Sequence, residues 1–236
     1  MTRIAIVQSN YIPWKGYLDL IASSDQFVLL DDVQYTRRDW RNRNRIKTAA
    51  GPRWLTIPVE TKGRYEQLIR DVRVSDRSWA LSHWSQLRQQ YKHAPCFATE
   101  RHWVEPLYLE HAPRIGYLHE VNRLFLGAIC ERLKIATPFR ASADYELVPG
   151  KSERLLAICQ QAGATSYLSG PAAQRYLDVD RFAAAGIAVE WMDYAGYPEY
   201  DQIHPPFVHG VTVLDLIFHL GERASAHHFG RANCTI

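Results

Sequence analysis

The stretch DDVQYTRRDWRNRNRIK, residues 31–47, places two adjacent acids before six basic residues, and these residue types could do chemistry on an anion. Asp31 and Asp32 close an apolar run that is typical of a buried strand, and ligands bind at strand ends in open parallel sheets. An acid there could act as a general base or hold a sugar hydroxyl. Adjacent side chains on a strand point in opposite directions, so only one of the two should face a site. We predict both as catalytic candidates, with Asp32 as the acid or base or as the residue that positions a hydroxyl, and with the capping of backbone amides as the structural alternative.

The basic arm that follows alternates arginine with asparagine. In a strand, Arg41 and Arg43 would share one face, and Asn42 and Asn44 would share the other. Arginine offers a fixed fork for phosphate or carboxylate, and asparagine offers directional polar contacts. We predict that these four residues and Lys47 bind an anionic ligand, with a solvated run of charge as the alternative.

Charge distribution bears on the size of that ligand. Residues 37–73 carry eleven Lys and Arg against four acids, a local charge of +7, so the rest of the chain is about −4 out of a total of +3. Nucleic-acid-binding domains usually have a pI above about 9, whereas this chain has a pI of about 8.6. We therefore predict a small anionic metabolite or nucleotide-activated sugar as the partner, rather than nucleic acid.

Two strand-to-helix turns offer further ligand contacts. Residues 8–16 follow the first predicted strand, and the helix after them points its N-terminus at the same edge, which suits a phosphate or carboxylate. Ser169 and Gly170 form a second such turn, where the serine could instead serve only as a helix N-cap. The predicted ligand contacts from these turns and from the end of the second strand are Gln8, Asn10, Tyr11, Lys15, Tyr17, Gln34, Ser169 and Gly170.

A polar and aromatic segment, residues 193–209, is dense in Tyr, His, Gln and Pro. Such a loop suits sugar stacking or a lid over a site. We predict Tyr197 and Tyr200 as substrate contacts and His209 as an acid or base near neutral pH. His204 is a second loop histidine, and a loop histidine without a role is the alternative for both. No metal site is predicted, because no histidine follows the two acids at ligand spacing.

The elements that must position these residues are those of an α/β protein. Strand, loop, helix and strand within about 30 residues predict a βαβ unit and a parallel sheet. The last third repeats the alternation. We predict a three-layer, mostly parallel sheet in a single domain, residues 1–236, with a basic β-arm or small lobe at about 36–75 and a helical insertion at about 78–134. The predicted strands are 4–7, 27–30, 54–59 paired with 69–74, 165–168 and 187–191, and a helix is predicted at 172–177.

The composition of the chain indicates its cellular compartment. The chain has no apolar run long enough for a membrane helix and no signal-peptide pattern. Its four cysteines show no CxxC spacing, which fits buried thiols in a reducing compartment. We predict a cytoplasmic protein and assign no cofactor.

Six segments of the chain carry distinctive motifs, namely Gln8-x-Asn10-Tyr11-x-Pro13-Trp14-x-Gly16-Tyr17, Leu29-Leu30-Asp31-Asp32-Val33-Gln34, Arg41-Asn42-Arg43-Asn44-Arg45-Ile46-Lys47, Tyr167-Leu168-Ser169-Gly170-Pro171-Ala172-Ala173, Tyr197-Pro198-Glu199-Tyr200 and Val213-Leu214-Asp215-Leu216-Ile217-Phe218. Together these motifs resemble the WbqC-like protein family over residues 4 to about 221. The resemblance implies a cytoplasmic enzyme associated with bacterial O-antigen and polysaccharide gene clusters, a transferase of amino-sugar or acyl groups.

A weaker likeness concerns the start of the chain, which resembles HxGH nucleotidylyltransferases. Trp14 and Tyr17 stand where that family has the two histidines that contact ATP phosphates, and neither can donate a charged hydrogen bond. Adenylate-forming or nucleotidylyl-transferring chemistry is therefore an alternative to the transferase, and a nucleic-acid-binding module is a second one.

Overall fold

The computed structural model describes residues 2–227 and 229 and the backbone of Cys234 and Thr235. Two sheets and seven α-helices are found in these residues. The strands are β1 (Arg3–Val7), β2 (Gln26–Leu29), β3 (Arg43–Thr48), β4 (Gly51–Thr56), β5 (Phe139–Ala141), β6 (Ser166–Ser169), β7 (Ala188–Met192) and β8 (Cys234–Thr235). The helices are α1 (Lys15–Ala22), α2 (Trp79–Tyr91), α3 (Phe97–Pro106), α4 (Leu118–Arg132), α5 (Lys151–Gln161), α6 (Val179–Ala184) and α7 (Val213–Leu220).

The main sheet has the strand order β5-β2-β1-β6-β7-β8. The first five strands pair in parallel, and β8 pairs antiparallel with β7. The chain moves outward from β1 through β2 to β5 and then crosses to β6 on the other side of β1. This reversal creates a topological switch point between β1 and β6, and the predicted mostly parallel sheet is confirmed.

Helices cover both faces of the sheet, which confirms the three-layer prediction. Along β1, Ile4 and Ile6 pack with α5 and α6, while Ala5 packs with α1 and α7 on the opposite face. A strand that is buried on both faces reads as a continuous apolar run, so its sequence pattern identified it correctly. The predicted helix at 172–177 is instead a 3₁₀ turn over Pro171–Arg175, and Ser169 ends β6 instead of capping that turn, whose N-cap is Gly170.

The basic arm contains a β-hairpin whose pairing differs from the prediction. β3 pairs antiparallel with β4, so the partner of Trp54 is Arg45. The predicted pairing of 54–59 with 69–74 is wrong except at Val59, which bridges Val74, and Ile69–Asp71 is a 3₁₀ turn. A short turn between β3 and β4 makes their pairing local, and local pairing costs less loop entropy than pairing with a distant segment.

The segment 78–134 is helical, as predicted, and α2, α3 and α4 pack against the arm and α7. Within the described part of the chain, no helix combines the length and the apolar character that crossing a bilayer requires.

Candidate functional site

A cavity of about 530 Å³ opens at the carboxyl edge of the sheet, at the ends of β1, β2 and β6. This switch-point cavity lies where open α/β sheets bind ligands. Its wall is largely aromatic and apolar, with Trp14, Leu30, Tyr176 and Tyr194 among its residues. Five of the predicted ligand contacts also line it, namely Gln8, Tyr17, Gln34, Ser169 and Gly170.

Two cations from the first turn of α5 border the switch-point cavity. Arg154 Nε donates to Val148 O at 3.2 Å, and Nη1 donates to Asp32 O at 3.4 Å, so the guanidinium is held by backbone carbonyls. Lys151 Nζ lies 5.6 Å from the ring centroid of Tyr176. A guanidinium fork and an ammonium beside aromatic rings can bind a phosphate or carboxylate next to a planar group.

Lys151 and Arg154 are absent from the sequence-based predictions. Strand β5, which precedes α5 and pairs with β2, has three residues, too few to show any periodicity. Without β5, the start of α5 could not be assigned to the carboxyl edge. The available signal was the pair of cations in the first turn after Gly150.

A hydrogen-bond network holds the loop after β1 against the arm. Gln8 O accepts from Tyr17 Oη at 2.9 Å and from Arg41 Nη1 at 3.2 Å. Arg41 Nη1 also donates to Asn10 Oδ1, and its Nη2 lies 3.6 Å from Asp39 Oδ2. Arg41 therefore joins the arm to the loop after β1, and its guanidinium has less freedom to bind a ligand than that of an exposed arginine.

The two predicted acids follow β2, which ends at Leu29, and they have different partners. Asp31 Oδ1 accepts from Ser9 N at 3.0 Å, whereas Asp32 accepts from Ser142 Oγ at 2.6 Å and from Arg70. Burial raises the pKa of Asp31, and the hydrogen bonds from Ser9 and the charges of His119 and Arg41 oppose that rise only in part. Asp31 can therefore exchange a proton closer to neutral pH than an exposed aspartate can.

Other predicted contacts hold the fold together. Tyr11 is fully buried, and its hydroxyl bonds Tyr108 Oη at 2.7 Å and His83 Nδ1 at 3.0 Å. Asn42 Nδ2 donates to Ile57 O at 2.8 Å, and Asn44 Nδ2 donates to Tyr11 O at 3.2 Å. The two asparagines do share one face of the arm, and that face is buried.

On the outer face of the hairpin, arginines stack on tryptophans. Arg43 Cζ lies 4.0 Å from the Trp54 ring centroid, and Arg45 Cζ lies 5.6 Å from the ring centroids of both Trp40 and Trp54. The two indoles are 5.1 Å apart and partly exposed. This Arg–Trp cluster is a cationic surface that does not line the switch-point cavity.

Residues 193–210 form a covering loop without regular secondary structure. Tyr197 Oη donates to Asp19 Oδ2 at 2.7 Å, and Tyr200 Oη donates to Asp215 Oδ1 at 2.6 Å. Both rings lie over Lys15, whose Nζ is 5.1 Å and 5.7 Å from their centroids. The predicted residues Tyr197, Tyr200 and Lys15 thus form one group beside the cavity.

The side chains of His209 and Lys47 also belong to this region. His209 Nε2 lies 3.9 Å from Glu199 Oε1, and burial together with the charge of Lys15 lowers its pKa. Lys47 is buried and donates through Nζ to Pro206 O. Neither His209 nor Lys47 lines the switch-point cavity.

Comparisons with known proteins agree with the motifs. The model of the WbqC-like protein family matches residues 8–227. A Mycobacterium tuberculosis (strain ATCC 25618 / H37Rv) protein described as "Uncharacterized protein Rv1507c" is 50% identical over 224 residues, covering 95% of this chain and 96% of its own length. No solved structure matches the chain. Because the family model spans the described fold from the loop after β1 to beyond α7, the chain belongs to the WbqC-like protein family.

Proposed function

We propose that the protein is a transferase that acts on an anionic activated donor, such as a nucleotide-linked amino sugar or an acyl donor. The observation that carries this proposal is the switch-point cavity, with aromatic walls and the cations of Arg154 and Lys151 at its border. Pockets for drug-sized ligands are about 300–1,000 Å³, so a cavity of about 530 Å³ suits such a donor.

Each part of the donor has a chemical counterpart in the cavity. The rings of Trp14, Tyr176 and Tyr194 offer stacking surfaces for a base or sugar. Arg154 and Lys151 suit the phosphates, and Gln8 and Gln34 offer amides to hydroxyl groups. We place the reaction in the cytoplasm and in the synthesis of bacterial polysaccharide or small metabolites, in keeping with the family resemblance.

Asp31 is the proposed general base of the transfer. Asp31 does not itself line the cavity, but it follows Leu30, which does, and it accepts a hydrogen bond from Ser9, the neighbour of the cavity residue Gln8. A carboxylate with a raised pKa can take a proton from an attacking amine or hydroxyl at neutral pH. The nucleophile would then form a bond to the transferred group while the bond between that group and the donor's phosphate oxygen or thiol sulfur breaks. The nucleotide or thiol leaves with that electron pair, and the proton of the nucleophile passes to Asp31.

Donor binding is tested with Arg154→Ala. Loss of a charge-assisted contact to phosphate costs about 1.5–3 kcal/mol, so we expect the Kd for the best nucleotide sugar to rise about 10- to 100-fold. Arg123→Ala is the matched control, because Arg123 is an exposed arginine on α4 and does not line the cavity. Titration calorimetry follows a thermal-shift screen of nucleotide sugars and acyl-CoAs. Equal affinity of both variants for every hit would contradict the proposal.

Nucleic-acid binding is the second candidate, and the Arg–Trp cluster favours it. Bases can stack on exposed indoles while arginines neutralise phosphates. Adenylate formation is less favoured, because the Trp14 ring packs against Gly16 at the first turn of α1, where a phosphate would have to approach. ATP and short RNA therefore belong in the same screen.

A further inference from the structure

Lys15, the first residue of α1, is a buried lysine whose amine makes no hydrogen bond within the described part of the chain. Its exposed fraction is 3%, and Nζ has no hydrogen-bond acceptor among the described residues. Lys47 is equally buried but donates to Pro206 O. A buried ammonium without an acceptor is costly, so this environment favours the neutral amine.

Three aromatic rings of the covering loop enclose Lys15 Nζ. The ring centroids of Tyr197, Phe207 and Tyr200 lie 5.1, 5.4 and 5.7 Å away. Such rings attract a cation, but they also exclude the water that would stabilise one. The enclosure therefore does not replace a carboxylate partner.

The charged groups near Lys15 are already engaged. Asp215 on α7 accepts from Tyr200 Oη at 2.6 Å, from Gln202 Nε2 at 2.8 Å and from Tyr91 Oη at 2.9 Å. Glu199 faces His209 within the covering loop. Burial lowers the pKa of Lys15 to about 8, and the charges of Asp215 and Glu199 oppose this only in part.

The position of Lys15 connects it to the switch-point cavity. Trp14, its neighbour in the chain, lines the cavity and contacts Tyr194 and Tyr197 of the covering loop. No residue from 193 to 210 is fully buried, and loops of this length without secondary structure are usually functional lids or binding loops. Displacement of the covering loop would expose the amine next to a bound ligand.

We propose that Lys15 is a carbonyl-reactive amine that forms an imine with an aldehyde or ketone carbon of an anionic substrate. The nitrogen lone pair attacks the carbonyl carbon, a C–N bond forms and the C=O π bond breaks. The carbinolamine then loses one water, whose two hydrogens come from the amine. This inference goes beyond the transferase proposal, because it adds a covalent step and a carbonyl-bearing substrate class.

The experiment uses pyridoxal 5′-phosphate, an anionic aldehyde, with borohydride reduction and peptide mass mapping at pH 7. The chain has six lysines, of which Lys62, Lys92, Lys134 and Lys151 are exposed. An ordinary lysine has a pKa of about 10.4, so Lys15 has on the order of a hundredfold more neutral amine at this pH. We expect Lys15 to carry at least tenfold more label than any exposed lysine, with saturation at one label per chain.

Two variants and a smaller probe complete the test. Lys15→Arg should lose the dominant label, whereas Lys47→Arg should keep it. Glyoxylate replaces pyridoxal phosphate to test whether the covering loop excludes the larger aldehyde, and labelling of Lys15 by either probe supports the proposal. If both probes label the exposed lysines but not Lys15, the proposal is wrong. Peptide mapping of the wild-type protein is sufficient for this result, so the test does not depend on whether Lys15→Arg folds. Donor binding is measured separately, so labelled Lys15 without nucleotide-sugar binding would refute only the transferase.

Discussion

At the scale of single residues, Asp31 and Asp32 are neighbours in the chain with opposite electrostatic surroundings. Asp31 is buried with a backbone amide as its hydrogen-bond donor, and its pKa is raised by burial. Asp32 is paired with Arg70 and Ser142. Charge formation on Asp31 therefore costs stability, whereas charge on Asp32 is compensated.

Asp31→Asn and Asp32→Asn should therefore differ. The folded pKa of Asp31 lies above its ordinary value of 3.8, so the folded state binds more protons, and stability falls as pH rises through that window. Asn keeps an oxygen for Ser9 N, so Asp31→Asn should remove this fall and leave the Tm at pH 7 unchanged or higher, while turnover drops. Asp32→Asn should cost about 1–2 kcal/mol, because it weakens the contacts to Arg70 and Ser142. Thermal unfolding and urea unfolding between pH 3 and 8 measure the Tm and the free energy of unfolding of both variants. A lower Tm in Asp31→Asn but not in Asp32→Asn would refute this account.

Alternation predicted which arm residues share a face, but not which face is buried. Asn42 and Asn44 lie inside because an amide can satisfy the carbonyls of Ile57 and Tyr11 without placing a charge in the core. Those carbonyls come from distant chain segments, so no local pattern could reveal them. Lys15 was predicted as a charged contact, and its lack of an acceptor became visible only once the covering loop was in place.

At the scale of elements, the covering loop is held by a few long-range side-chain contacts. Tyr200 Oη and Gln202 Nε2 both reach Asp215 on α7, and Ile203 N donates to His219 Nε2 at 3.0 Å. The loop was recognisable from its composition. The attachment of the loop to α7 could not be predicted, because Asp215 lies in an apolar helix whose sequence indicates only a core element.

Tyr200→Phe should loosen the covering loop while the sheet stays intact. Loss of one hydrogen bond of about 1 kcal/mol should raise deuterium exchange in residues 193–210 about fivefold, with β1 and β6 unchanged. Tyr65→Phe is the control, since Tyr65 is 72% exposed and lies outside the loop. Faster exchange throughout the sheet would mean that the loop is part of the core and does not open as a lid.

At the scale of the whole molecule, the carboxyl edge of the sheet was predictable from the sequence, whereas the switch point between β1 and β6 and the cavity beside it were not. Buried strands and the βαβ start predicted a parallel sheet, and hence a ligand edge. β5 is too short to be recognised from the sequence, and its pairing with β2 is what assigns the start of α5 to the carboxyl edge of the sheet. The cations that suit the cavity to phosphate, Lys151 and Arg154, therefore lie on a helix whose place in the fold could not be predicted from the sequence pattern.

The charge asymmetry of the chain fits either a small anionic metabolite or a nucleic acid. The dependence of the binding affinity on salt concentration distinguishes these two partners. A nucleotide sugar carries few phosphate charges, so its log Kd should change with log[salt] by a slope of about 1–2, whereas RNA that neutralises Z charges loses affinity with a slope of about 0.7Z. We expect nucleotide-sugar binding to persist at 200 mM NaCl and binding of a 12-nucleotide RNA to be negligible there. The double substitution Arg43→Ala and Arg45→Ala removes the cations of the Arg–Trp cluster and leaves the switch-point cavity unchanged. Tight RNA binding at 200 mM NaCl that this double variant abolishes would make nucleic acid the partner of the basic arm, and the cavity would then need a different ligand.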